Sequence, residues 1–332
     1  MNDLSVSPSR MFLGVIPWYG LLIMLGAVLA IHLAQRESVR FGFPKDCMLD
    51  LALWVIPIGI LGARIYYVLF SLPFYLDRPL SVFFIWEGGL AIYGGLIAGA
   101  LTVYIFCRVR SLSLPMMLDF LVPGVALAQA IGRWGNYFNQ EAYGPVLPDH
   151  SPLAFFPLAV QIPGSSGLQW HVATFFLESC WNFCVFLFLL YSRRKWIHRK
   201  GDVFLFYLLL YGAARLFIEE LRTDSLYAGG RIRVSQLLSV LLCLSVQVLF
   251  LLRFRRFHAR PVPVILLLFA DFMYAAAVLL FCFGAGFQAV LLSLHARLIF
   301  LAGFSLLLII SSLFLYASDP SSEVPYAYNT AS

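Results

Sequence analysis

Residues 17–35 read PWYGLLIMLGAVLAIHLAQ, with no aspartate, glutamate, lysine or arginine among them. That meets the roughly 17–25 apolar residues a helix needs to cross the hydrocarbon core of a bilayer. The run exceeds the 7–15 or so apolar residues of a secretory signal and lacks a basic lead-in and a clear cleavage site, so it is expected to stay in the protein. Similar stretches follow at 48–72, 88–107, 116–131, 172–191, 202–220, 234–252, 262–284 and 288–316. Over the whole chain of 332 residues, 61% are hydrophobic and 12% charged, with a mean hydropathy of +0.85. Soluble domains average roughly 45–50% apolar and about 25% charged residues. The sequence therefore predicts an all-α polytopic membrane protein, with about seven core transmembrane helices and two more at the C-terminal end. The stretch 116–131 is short for a span and is expected to be tilted or partly re-entrant.

With the N-terminus outside, fourteen of the 23 lysines and arginines fall in inner loops and seven outside, while Arg64 and Arg215 lie within spans. Cytoplasmic loops carry such an excess of basic residues. The net charge of +6 mostly reflects this bias, so no nucleic-acid partner is expected. Six cysteines, among them Cys180 and Cys184 on one helix face, form no spaced metal or disulfide pattern.

On this reading residues 1–16 are an extracytoplasmic segment, 17–255 a membrane core, 256–316 a two-helix extension and 317–332 a polar tail. Within the core, 132–171 breaks the apolar pattern with Pro145, Pro148, Pro152, Pro157 and Pro163. Such proline density argues against a continuous helix, so an outer loop or cap is expected beside an outward-facing polar cavity. A second polar outer loop runs from Thr223 to Arg233.

Three stretches concentrate polar chemistry. The first is GRWGNYFNQEAYG, residues 132–144, where Gly132, Gly135 and Gly144 are expected to let the chain leave a helix. Arg133 there offers a forked donor suited to phosphate or carboxylate, with Asn136, Asn139 and Glu141 beside it; a solvated helix cap is the plain alternative. The second is YGAARLFIEELR, residues 211–222, whose Tyr211, Arg215, Glu219 and Arg222 are spaced to share one helix stripe. Arg215 within a span should face the bundle interior and an anion, or simply pair with Glu219. The third is WEGGLAIYGGLIAGA, residues 86–100, in which Gly95 and Gly99 suit close helix packing and Tyr93 stands between two glycine pairs. Elsewhere Glu178 is buried enough to want a partner, and His171 is placed at the interface. Trp18 and Tyr19 match an interfacial aromatic belt. For Asp50, Arg64, Asp119 and Asp271 structural pairing is expected.

Together these residues resemble the phosphatidylglycerol-prolipoprotein diacylglyceryl transferases of bacterial inner membranes. That family's signature is matched by Gly132, Arg133, Gly135, Asn136, Tyr137, Asn139, Glu141 and Gly144. Pro17-Trp18-Tyr19-Gly20, the block from Trp86 to Gly99, and Tyr211 with Arg215, Glu219 and Arg222 agree in order and spacing. The resemblance covers residues 14–255 and implies transfer of a diacylglyceryl group from phosphatidylglycerol to a lipobox cysteine of a prolipoprotein, without metal or cofactor. It points to Arg133, Arg215, Glu141 and Tyr93 as catalytic. It points to Tyr19, Asn136, Asn139, Gly144, Glu178, Tyr211, Glu219, Arg222, Gly94 and Gly95 as substrate-binding.

The chain departs from the family in three places. Tyr93 stands where much of the family has a histidine proposed as base, and a phenol with a reference pKa near 10 is a poor one. Tyr93 is then expected to hydrogen-bond the lipid phosphate, with Glu141 as a proton acceptor. His171 is one residue out of step, and residues 261–316 have no counterpart. A transporter of an anionic lipid or anion would also use buried arginines, but would be expected to show paired broken helices in two repeated halves.

Overall fold

The computed structural model describes residues 10–164, 167–195, 199–223, 227–228, 232–253, 269 and 294–317. The expected eighth span, apart from Phe269, lies outside the described residues, as do Asp271, Cys282 and positions 318–332 of the tail. The described helices are α1 (Trp18–Arg40), α2 (Cys47–Phe70), α3 (Leu72–Asp77), α4 (Ile92–Val109), α5 (Leu114–Asn139), α6 (Thr174–Lys195), α7 (Asp202–Leu221), α8 (Val234–Arg253) and α9 (Leu294–Ala317). Among them α1, α2, α4, α5 and α6 are long and apolar enough to cross a membrane. A helix satisfies every backbone polar group within itself, the condition for lying in lipid. The protein is thus a mostly helical, multi-pass membrane protein. Helix α7 has the length, but Arg215, Glu219 and Glu220 crowd its second half; it is packed by α6, α8 and α9 instead of facing lipid all round.

By internal contacts the described chain divides into two compact units. One spans Ala30–Leu121. Its core gathers Ala34, Met48, Leu51, Phe106, Met117 and Phe120, and α2 crosses α4 where Gly62 meets Gly94. A Cβ on Gly62 would stand 2.8 Å from the Gly94 carbonyl, so both backbones approach closely only because neither has a side chain. Gly95 follows against Gly59, whereas Gly99 has only Val55 near it, so the contact surface is Gly94–Gly95 and not Gly95–Gly99. Asp50 pairs with Arg110 at 3.0 Å.

The other unit holds the chain up to Leu29 and from Val122 onward. Here α5 corrects two expectations. It is not short, with 26 residues, and it continues through Gly132 to Asn139, so most of the polar motif is helical. Glycine costs a helix about 1 kcal/mol relative to alanine; Trp134 and Tyr137 offset this by packing on Phe175, Val160 and Ile162. The chain turns only afterwards, at Gln140 and Ala142, with φ of 55° and 54°. The expected outer loop contains an antiparallel hairpin of β1 (Ala159–Gly164) and β2 (Gly167–Val172), in register from Ala159↔Val172 to Gly164↔Gly167.

Helix α9 docks on this unit through one buried stripe, Leu301, Ser305, Leu308, Ser312 and Tyr316. Ser305 Oγ donates to the Ala213 carbonyl at 3.2 Å, Gln247 Nε2 donates to Ser312 Oγ at 2.8 Å, and the Tyr316 ring meets Phe206 at 5.4 Å.

Candidate active site

Three helices of the second unit each bring one part of a charge cluster. The last turns of α5 carry Arg133, the first turns of α6 carry Glu178, α7 carries Arg215 and Glu219, and Arg222 follows at its C-terminal cap. Glu178, only 4% exposed, is the hub. Its Oε2 lies 2.5 Å from Arg133 Nε, and its Oε1 lies 3.4 Å from Arg215 Nη1 and 3.9 Å from Arg222 Nη1. Arg215 Nη2 also reaches Glu219 Oε2 at 2.8 Å, the helical pair that its spacing of four residues allows. An unpaired buried charge would cost several kcal/mol, which is why the cluster forms as a network.

The neighbouring residues fix how α5 and α6 face each other. Trp134, next to Arg133, donates its indole Nε1 to Ser179 Oγ at 3.1 Å, and Ser179, next to Glu178, donates to the Ala130 carbonyl at 2.8 Å. Each successive residue pair therefore makes one ionic and one neutral link. After the turn, Thr174 Oγ1 donates to the Ala142 carbonyl, Thr223 Oγ1 donates to the Tyr143 carbonyl at 3.1 Å, and Gly144 N donates to Val172 O at 2.8 Å. Gly144 has no room for a side chain: a Cβ would meet Leu221 O and Val172 Cβ at 3.0 Å. At Gly135 a Cβ would come 2.5 Å from the Tyr19 ring, and Trp18 stacks on Phe138 at 4.8 Å. Trp18 and Tyr19 thus pack on the motif helix, beyond the interfacial belt expected of them.

A small pocket opens on the cluster, lined by Arg133, Glu178, Trp181, Asn182, Tyr211, Ala214, Arg215 and Ile218. Of the residues singled out in the sequence, Arg133, Arg215, Glu178 and Tyr211 line it, and Glu219 and Arg222 join through ion pairs. Asn139, the last residue of α5, instead donates its side-chain amide to Glu141 Oε1 at 3.2 Å, and the Asn136 backbone carbonyl accepts the Glu141 N–H at 3.1 Å. His171 Nδ1 sits 2.8 Å from Gly144 O, inside the hairpin support. Gly94 and Gly95 lie at the α2–α4 crossing, and Tyr93, 40% exposed, opens α4 with its ring 6.5 Å from Tyr66. Sequence reading passed over Trp181 and Asn182; the signal was there, since Asn182 follows Glu178 by four residues on one helix face.

The family description "Prolipoprotein diacylglyceryl transferase" matches residues 10–252. The chain belongs to the prolipoprotein diacylglyceryl transferase family. Among curated relatives named phosphatidylglycerol–prolipoprotein diacylglyceryl transferase, that of Enterococcus faecalis is 44% identical over 253 residues, covering 74% of this chain and 89% of the relative. That of Halalkalibacterium halodurans is 42% identical over 256 residues, covering 75% and 88%. That of Streptococcus suis is 45% identical over 257 residues, covering 76% and 94%. The diacylglyceryl transferase match therefore includes all three helices of the cluster and ends before α9.

Proposed function

We propose that this transferase moves the sn-1,2-diacylglyceryl group of phosphatidylglycerol to the thiol of a lipobox cysteine in a prolipoprotein, forming a thioether and releasing glycerol phosphate. The observation that carries the reading is the state of Arg133. Anchored through Nε on Glu178, it keeps its Nη1–Nη2 fork without a partner among the described residues, beside Arg215 in the same pocket. Around the hub, Arg133, Arg215 and Arg222 converge on Glu178, an arrangement of guanidiniums that favours an anionic lipid phosphate. In the reaction the bond between the diacylglyceryl carbon and a phosphate oxygen breaks, a carbon–sulfur bond forms, and the electron pair stays on the phosphate. Charge grows on that phosphate, where donors already in place stabilise the transition state most.

The thiol must give up its proton to become a good nucleophile. Glu141 is one proposed acceptor, although it stands on an exposed turn; the departing phosphate is the other. Tyr93 is proposed to hydrogen-bond the lipid, and Tyr19, Asn136, Asn139, Gly144, Tyr211, Gly94 and Gly95 to shape the substrate site directly or through packing. The distribution of basic residues supports a place in the bacterial cytoplasmic membrane with the N-terminus and the site toward the outer side. The test is incubation of the purified full chain with phosphatidylglycerol and a lipobox peptide. The peptide is expected to gain the mass of one diacylglyceryl group; no gain, where a control transferase works, overturns the reading.

A further inference from the structure

We propose that Asn182 reads the hydroxylated headgroup of the donor lipid and so sets headgroup specificity; this rests on the transferase reading of the pocket. Asn182 is 5% exposed, lines the pocket, and has no hydrogen-bond partner among the described residues. Its amide atoms are not sealed off from the pocket, so they are placed to bond a group that enters it. Its position is fixed by the cluster itself: one turn beyond Glu178 on α6, it faces the same pocket as Arg133 and Arg215.

The chemistry of the lining narrows what the amide meets. A phosphate offers only acceptors, and the guanidiniums already supply donors for it. Trp181 has spent its indole N–H on the Leu210 carbonyl at 3.2 Å. Both Glu178 oxygens are engaged by arginines. The Asn182 amide combines a donor and an acceptor, both uncommitted, the pattern that suits a hydroxyl, which is itself donor and acceptor. A cationic headgroup is disfavoured beside three guanidiniums, and a neutral glycerol is not. Sites built to hydrogen-bond a substrate hydroxyl discriminate strongly against analogues lacking it, because their own polar groups are then left unpaired.

The experiment compares phosphatidylglycerol with phosphatidylpropanol, which keeps the phosphodiester and carbon count but has no headgroup hydroxyl. Each is measured as donor or, where turnover is too slow, as competitive inhibitor of transfer from phosphatidylglycerol. In the full chain Asn182→Leu is expected to raise KM for phosphatidylglycerol about tenfold with kcat changed less than threefold, and to shift the phosphatidylpropanol constant less than twofold. Asn182→Gln, which keeps an amide, should recover part of the preference. If Asn182→Leu does not fold, Asn182→Ala carries the same comparison. Equal losses toward both lipids, or no loss toward either, overturn the proposal. Absence of transfer by the unaltered chain overturns the transferase reading instead.

Discussion

Two arginines inside the apolar part of this chain have opposite surroundings. Arg64, 6% exposed on α2, meets carbonyl oxygens: Ser81 at 2.5 Å, Gly88 at 2.7 Å, Val82 at 2.9 Å and Gly89 at 3.0 Å, with Phe84 at 3.4 Å. Its donors are used up in tying the irregular segment between α3 and α4 to α2. Arg133 on α5 is held by one carboxylate through Nε and keeps its fork open toward a pocket. A guanidinium with five donors can serve as a structural knot or as a receptor, and its partners tell which. Carbonyl partners saturate it without adding charge; a carboxylate fixes its place and leaves donors for another anion.

That contrast is most severely tested by removing each receptor. Arg133→Ala and Arg215→Ala should each lower the rate of diacylglyceryl transfer by on the order of 10²–10³-fold, the scale of losing a preorganised donor at developing charge. Membrane incorporation should be retained; the thermal midpoint should change little for Arg133→Ala, whose Glu178 keeps Arg215 and Arg222, and fall for Arg215→Ala, which removes an ion pair of the buried Glu219. If either variant transfers at near the original rate, the receptor role of that arginine is lost. Glu178→Gln should come next, with a rate loss of about 10–100-fold. The amide keeps the shape but no longer pins two guanidiniums, so Arg133 and Arg215 lose their common aim. Here the thermal midpoint should fall as well, because three arginines are left close together with one acid fewer.

For Arg64 the signature reverses. Arg64→Leu should lower the thermal midpoint more than Arg133→Leu does, since several carbonyls lose their only side-chain donor, at roughly 1–3 kcal/mol for each one left unpaired in a buried place. A differential scanning measurement on the two variants, in one detergent, decides it. A larger drop for Arg133→Leu would mean that the carbonyl knot contributes little.

The class of fold was legible in the sequence because membrane crossing requires long apolar runs, and the helices α1, α2, α4, α5 and α6 coincide with them. What misled was glycine. Gly132 and Gly135 read as helix exits, yet α5 continues past both, because aromatic packing by Trp134 and Tyr137 and the close approach of Tyr19 outweigh local propensity. The site was half legible. Spacing put Tyr211, Arg215, Glu219 and Arg222 on one stripe, but spacing on one helix says nothing of a partner on another. Glu178 was known to want a counter-charge, and only the fold shows that it takes three. Asn139 and Glu141, in the same motif as Arg133, fall at the end of α5 and on the turn after it, and bond each other instead.

The smallest effect is expected far from the cluster, at α9, which the family match does not include. Gln247 is fully buried, its Oε1 has no partner among the described residues, and its Nε2 donates to Ser312 Oγ, which in turn donates to the Leu308 carbonyl at 2.7 Å. Ser312→Ala removes the amide's one partner and should destabilise by about 1–3 kcal/mol, the cost of a stranded buried donor. Ser305→Ala should cost less, because the Ala213 carbonyl it releases lies inside a helix and has a second partner available. The double variant Gln247→Leu with Ser312→Ala should recover most of the loss, since an apolar pair strands nothing. Thermal midpoints of the unaltered chain, Gln247→Leu, Ser312→Ala and the double variant form a double-mutant cycle. Additive losses would show that α9 is not held at this bond; a strong positive coupling with transfer unchanged would make α9 a support of α8 that the charge cluster does not depend on.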